Sequence, residues 1–133
     1  MKVDHFAFFV SDMDKAIEFY CKVLGMKLLS RDVDEAHNEE FSFLELEGGN
    51  LELLSTLKKE KAIENKLRSE NILKKQLNCP HLAIRAHNLE DIVKKCEENN
   101  ITIIGGPFII KRKVKWMYIS DIDGNILEFV KWL

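Results

Sequence analysis

Apolar positions along this chain alternate between two periods. "KVDHFAFFV" (2–10) is rich in β-branched and aromatic residues, which predicts a strand. In "SDMDKAIEFYCKVLG" (11–25) the residues Ala16, Ile17, Tyr20, Val23 and Leu24 recur at the i, i+3, i+4, i+7 spacing of a helix. Ser11 or Asp12 can cap that helix, Asp14 suits its first turn, and Gly25 its stop. "MKLLSRDV", "EEFSFLELE" and "NLELLST" then read as strands, the last preceded by a Gly48-Gly49 turn. Residues 57–79 form a polar connector, with a short amphipathic helix through Ile63, Leu67 and Ile72. Beyond it the order restarts. "HLAIRA" is a strand, and "NLEDIVKKCEENN" a helix capped by Asn88 with Ile92, Val93 and Cys96 inward. "ITIIGGPFII", "KVKWMYIS" and "NILEFVKWL" are strands. Both halves are β-α-β-β-β. The prediction is one α+β domain over 1–133, with modules at 1–57 and 79–133 and a connector at 58–78.

A shift of 76 registers the halves. His5 falls on His81, Ala7 on Ala83, and Ala16, Ile17 and Tyr20 on Ile92, Val93 and Cys96. Gly48 falls on Gly124, Leu51 on Leu127 and Glu52 on Glu128, so each half has a His followed 47 residues later by a Glu.

Those Glu residues are odd ones. Each lies inside an apolar strand, where a buried carboxylate is costly unless paired. Alternation places His5 with Ala7 and Phe9, opposite Phe6, Phe8 and Val10. Glu52 and Glu128 likewise oppose Leu51, Leu53, Leu127 and Phe129. Each module thus has an apolar face for its helix and another face carrying one His and one Glu. Taken singly, such residues read as a surface or satisfied His and a solvent-facing Glu. Taken together, two imidazoles and two carboxylates suit a divalent cation such as Zn²⁺, Ni²⁺, Co²⁺, Mn²⁺ or Fe²⁺, with room for water or substrate in an octahedral shell. His37, in a polar loop, and His87, beside a helix cap, read as surface residues.

Composition narrows the function classes. The chain has 133 residues, 46% hydrophobic and 32% charged, with a net charge of −2. That balance argues against a nucleic-acid partner, which would require a basic face. "KRKVK" (111–115) alternates basic with apolar as a solvated strand face would, the alternative being a grip on an anionic ligand group. No stretch approaches a membrane helix and the N-terminal residues lack a secretory pattern, so the expectation is cytoplasmic, with no membrane partner. Cys21, Cys79 and Cys96 are odd in number and lack CxxC spacing, which suggests neither a disulfide framework nor a zinc knuckle.

The paired βαβββ modules, the first-strand His, "DIDGNILEF" and above all "DMDKAIEFYCKVLGMKLL" resemble the vicinal oxygen chelate superfamily (the glyoxalase–bleomycin resistance–dioxygenase family), and within it glyoxalase I, over essentially the whole chain. The resemblance implies a curved mixed sheet around a metal cleft, with His5, Glu52, His81 and Glu128 as metal ligands. It implies proton abstraction α to a carbonyl, on a substrate such as a methylglyoxal–thiol hemithioacetal. Glu128 is then the first candidate for the base and Glu52 its counterpart. Nickel or zinc is the implied ion, with cobalt, manganese or iron as alternatives. The implied partners are a small-molecule substrate and a second copy in a homodimer.

The resemblance also marks departures. Where bacterial glyoxalase I has an Arg that helps hold glutathione, this chain has Phe9, and Thr56 replaces an Asn. Arg85 stands at the equivalent of Phe9 in the second module, as a carboxylate holder or a salt-bridged structural Arg. Glutathione is therefore in question while the donor set is intact. The rivals are a methylmalonyl-CoA-type epimerase, a non-catalytic binding or resistance protein, and a ring-cleaving dioxygenase. Ring-cleaving dioxygenases and fosfomycin-resistance thiol transferases lack a ligand at the place of Glu52.

Overall fold

A computed structural model describes residues 3–58, 71–75 and 80–133. The chain divides into two compact units, Met1–Ile63 and Glu64–Leu133. Unit 1 contains β1 (His5–Phe9), α1 (Met13–Ile17), β2 (Leu28–Asp34), β3 (Glu39–Leu44) and β4 (Asn50–Thr56). Its sheet order is β1-β4-β3-β2, with β1 parallel to β4 and the other neighbours antiparallel. Unit 2 repeats this with β5 (His81–Arg85), α2 (Leu89–Glu98), β6 (Ile103–Ile110), β7 (Val114–Ser120) and β8 (Ile126–Trp132), in the order β5-β8-β7-β6. The expected βαβββ modules are thus present, one mixed sheet to each. Among the described residues no helix is long and apolar enough to cross a membrane.

Strand alternation sorts the faces as expected. In unit 1, Phe8, Leu44, Leu51 and Leu53 are buried together with Met13, Ala16, Phe19 and Tyr20 of the helical segment. In unit 2, Met117, Ile119, Leu127 and Phe129 are buried with Leu89 and Cys96 of α2. Both caps act as the sequence indicates: Asp12 accepts from the Lys15 amide at 3.1 Å and Asn88 from the Glu90 amide at 3.2 Å.

Three expectations change. The first helix is not uniform: α1 runs into a π-helical turn over Glu18–Val23, which brings Phe19 inward beside Tyr20. A π turn inserts one residue relative to an α-helix. Accordingly the repeat offset is 76 from Asp12 to Asn88 but 75 from Gly25 to Asn100, both of which take positive φ at the end of their helical segments. The offset returns to 76 in the last hairpin. Six residues separate the paired Leu44 and Leu51, whereas seven separate Ile119 and Leu127. A single shift of 76 therefore misaligns β2 and β3 against β6 and β7 by one residue, which inverts the face assigned to every side chain there.

Second, Lys111–Lys113 form the β6–β7 turn instead of strand, with Lys111 and Arg112 at φ of 46° and 54°. Third, only part of the connector falls within the described residues. Residues 71–73 are helical, and Leu73 packs onto Gly105, where a Cβ would lie 2.7 Å from its Cδ2. Ile63, Leu67 and Cys79 lie outside the described residues.

Candidate metal centre

The parallel pairing of β1 with β4 sets Ala7 opposite Glu52, and that of β5 with β8 sets Ala83 opposite Glu128. An alanine there leaves room for the carboxylate to lean back towards the His two residues earlier. His5 Nε2 and Glu52 Oε2 are 3.3 Å apart, and His81 Nε2 and Glu128 Oε2 are 2.8 Å apart. The carboxylates are the less accessible partners: Glu52 and Glu128 side chains are 15% and 17% exposed, against 39% and 33% for His5 and His81.

An aromatic ring steadies each imidazole. Phe43 stands edge-on to His5 at 5.7 Å, and Tyr118 edge-on to His81 at 5.6 Å. Both rings come from the strand paired with the Glu, Phe43 opposite Glu52 and Tyr118 opposite Glu128. The offset of 75 makes these two residues equivalent; the offset of 76 hides the match. Neither was singled out from the sequence, because only strand pairing reveals them.

Electrostatics distinguish the two pairs. His5 Nδ1 meets Asp4 Oδ1 at 2.6 Å, and that hydrogen bond raises the His5 pKa, with the charges of Glu52 and Asp4 adding and desolvation opposing. The same bond fixes the proton on Nδ1 and turns Nε2 towards Glu52. Before His81 stands Pro80, which has no acceptor side chain. Burial pushes the Tyr118 hydroxyl pKa up and the Glu128 charge adds to it, while a hydrogen bond with the Trp116 side chain works the other way.

The donors fit a divalent ion. Nitrogen and oxygen ligands about 2.1 Å from one ion stand roughly 3.0 Å apart at right angles and roughly 3.4 Å apart at a tetrahedral angle. Both pairs, at 3.3 and 2.8 Å, lie close to that range. The Asp4–His5 contact also matches the acceptor that usually orients a ligand imidazole. Each sheet by itself offers two donors, and among the described residues no group of three or more His, Cys, Asp or Glu forms a metal-holding cluster.

Other singled-out residues separate into two sets. Phe9, 67% exposed, shares the face of His5, and Arg85 shares the face of His81. Thr56 lies on the Glu52 face, but its hydroxyl donates to the Lys58 carbonyl at 2.7 Å and so closes the end of β4. His37 pairs with Asp34 at 2.7 Å on the exposed β2–β3 turn, and His87 is exposed, as expected of surface residues. The "DIDGN" motif has a structural part. Buried Asp121 accepts from the Asp123 and Asn125 amides at 2.9 and 2.8 Å and from the Asn125 side chain at 2.9 Å, shaping the turn that leads into Glu128's strand.

Comparison with known proteins agrees with this architecture. The family model of the Glyoxalase/Bleomycin resistance protein/Dioxygenase superfamily matches residues 2–129. YwbC of Bacillus subtilis (strain 168) is 27% identical over 132 residues, covering 96% of this chain and 95% of its own length. Metallothiol transferase FosB of Staphylococcus haemolyticus is 30% identical over 128 residues, covering 95% of this chain and 80% of its own. Among solved structures, the trypanothione-dependent glyoxalase I of Leishmania major superposes with a TM-score of 0.76 at 19% identity, over 98% of this chain and 86% of that one.

Proposed function

The chain belongs to the Glyoxalase/Bleomycin resistance protein/Dioxygenase superfamily, and from that premise we propose that it is a divalent-metal-dependent lyase or isomerase of the glyoxalase I kind. Its substrate is a small carbonyl compound such as the hemithioacetal of methylglyoxal with a thiol. His5, Glu52, His81 and Glu128 supply the donors for one ion, nickel or zinc in the first instance and cobalt, manganese or iron otherwise. The four come from one chain or from two copies in a cytoplasmic homodimer. The observation that supports this reading is the repeated His–Glu pair, held at 3.3 and 2.8 Å on the same face of each sheet.

When bound, the ion acts as a Lewis acid towards the substrate's oxygens. The remaining work falls to the side chains. Glu128 takes the proton from the carbon α to the carbonyl and returns it to the neighbouring carbon, which completes the isomerisation. Glu52 is its counterpart on the other side of the ion. Leu127 and Phe129, buried on either side of Glu128, fix the strand from which the carboxylate projects.

The test is proton NMR in D₂O of methylglyoxal mixed with several thiols and the nickel-loaded protein. A 2-hydroxyacyl thioester should accumulate, and Glu128→Gln should slow it by about 10²–10⁴-fold. Full turnover by Glu128→Gln removes Glu128 as the base. A second reading has one observation in its favour, the 30% identity to a metallothiol transferase. It predicts no thioester from any hemithioacetal, but metal-dependent loss of thiol when an electrophilic acceptor is supplied.

A further inference from the structure

Equivalent hairpins of the two units carry opposite charge. The β2–β3 hairpin of unit 1 holds Asp32, Asp34, Glu35, Glu39 and Glu40, and no Lys or Arg occurs from Asp32 to Leu57. Its counterpart in unit 2, the β6–β7 hairpin, holds Lys111, Arg112, Lys113 and Lys115, and no Asp or Glu occurs from Asn99 to Ser120. Both tips are open to solvent: Asp32, Glu35, Lys111, Arg112 and Lys113 are all exposed. Each also shows apolar surface, Val33 at 55% exposure in the first, Ile109 and Ile110 at 55% and 49% in the second. The cations stand against the preference of their turn. Lys111 and Arg112 follow one another at φ of 46° and 54°, where a tight hairpin normally takes Asn and Gly. The turn of unit 1 obeys that preference, with Asn38 at 57°.

A solvated tip gives no reason to place Lys and Arg at those positions; a partner that reads their charge does. A polyanion or an anionic lipid surface would also meet a chain of net charge −2 whose other hairpin repels it. A second copy brings the complement in its own acidic hairpin. We propose that the β6–β7 hairpin of one chain docks on the β2–β3 hairpin of another. Ile109 and Ile110 then meet Val33 at the centre, and the cations meet Asp32, Glu35 and Glu39 at a polar rim. In a two-fold dimer the contact occurs twice, because each copy supplies one hairpin of each sign. It needs neither metal nor turnover, so it stands or falls apart from the proposed function.

The experiment is sedimentation equilibrium on the full chain and on two charge-reversed variants. One carries Lys111→Glu, Arg112→Glu and Lys113→Glu; the other carries Asp32→Lys, Glu35→Lys and Glu39→Lys. Asp34 and Glu40 are left in place because they pair with His37 and Arg31. The wild type should be a dimer at low salt and dissociate as salt screens the contact. Each triple variant alone should dimerise about a hundredfold more weakly, because like charges then face each other, and the single reversal Arg112→Glu about tenfold more weakly. An equal mixture of the two triple variants should form a heterodimer with wild-type affinity. A monomeric wild type, a dimer that persists in either triple variant alone, or a mixture that stays monomeric overturns the proposal. A monomeric wild type that sediments with phosphatidylglycerol vesicles overturns it too, and assigns the basic hairpin to a lipid surface.

Discussion

The two units share a plan and diverge in where they spend their extra residues. Unit 1 has one more in its helical segment, as the π turn; unit 2 has one more in its last hairpin. Because the two insertions cancel, both halves keep the His and the Glu 47 residues apart. Sequence separation does not set the geometry, however. Pairing does: Ala7 opposite Glu52 and Ala83 opposite Glu128 are the contacts that bring each imidazole and carboxylate together. What the halves preserve is the register of their strands; what they vary is where the extra residues fall and many of the side chains packed around the pairs.

The cores show the same freedom. Unit 1 buries a large Tyr20 and a small Ser42, and at the equivalent places unit 2 buries a small Cys96 and a large Met117. At these two places the large and the small side chain are exchanged, a kind of redistribution that packed interiors tolerate well. The exchange has a cost in unit 1, where the fully buried Ser42 hydroxyl has no hydrogen-bond partner among the described residues.

The largest stability effects should come from positions where the halves agree. Leu51 and Leu127 are equivalent and both fully buried. Replacing either with Ala should cost about 2–5 kcal/mol in urea unfolding. A cost below about 1 kcal/mol at one of them would mean that the two cores are not comparable.

A smaller effect should expose the asymmetry of the donor pairs. Asp4→Ala removes the acceptor at His5 Nδ1 and should weaken metal binding by roughly tenfold, the lower end for such outer contacts, because Asp4 is 91% exposed. Pro80→Ala, at the equivalent place, should leave affinity unchanged. Equal losses from both would show that Asp4 does not orient His5.

The smallest effect should be at the β2–β3 turn. The hydrogen bond to Asp34 raises the His37 pKa, and the same contact lowers that of Asp34. The His37 contribution is complete below its ordinary value of 6.5 and fades as pH rises through the raised one. The Asp34 contribution is complete above 3.8 and fades as pH falls through the lowered one. The Tm difference between wild type and His37→Ala should therefore be greatest between those two ordinary values and vanish at either extreme. A difference independent of pH would remove the ion pair as its source.

The sequence made some of this legible and hid the rest. Period-two alternation identified the donor faces, because Glu52 and Glu128 are each flanked by buried leucine or phenylalanine. Helix caps at Asp12 and Asn88 were legible because their chemistry is local. The π turn was not: Ala16, Ile17, Tyr20, Val23 and Leu24 fit an unbroken helix, and one inserted residue leaves that pattern nearly unchanged. Missing it fixed the offset at 76 and so concealed the match of Phe43 with Tyr118. Lys111–Lys113 read as strand because alternation continues across a tight turn when the turn residues are polar. In both cases the deciding information is which strand residue pairs with which, and that is a property of the fold.

The central claim is that two half-sites, one per unit, supply one metal centre, and stoichiometry tests it most directly. Untagged protein would be exposed separately to Ni²⁺, Zn²⁺ and Co²⁺, dialysed, and its metal content measured against protein. The account predicts about one retained ion per chain, lost alike in His5→Ala and in His81→Ala. Retention of no ion, or an ion that survives either substitution, would contradict it.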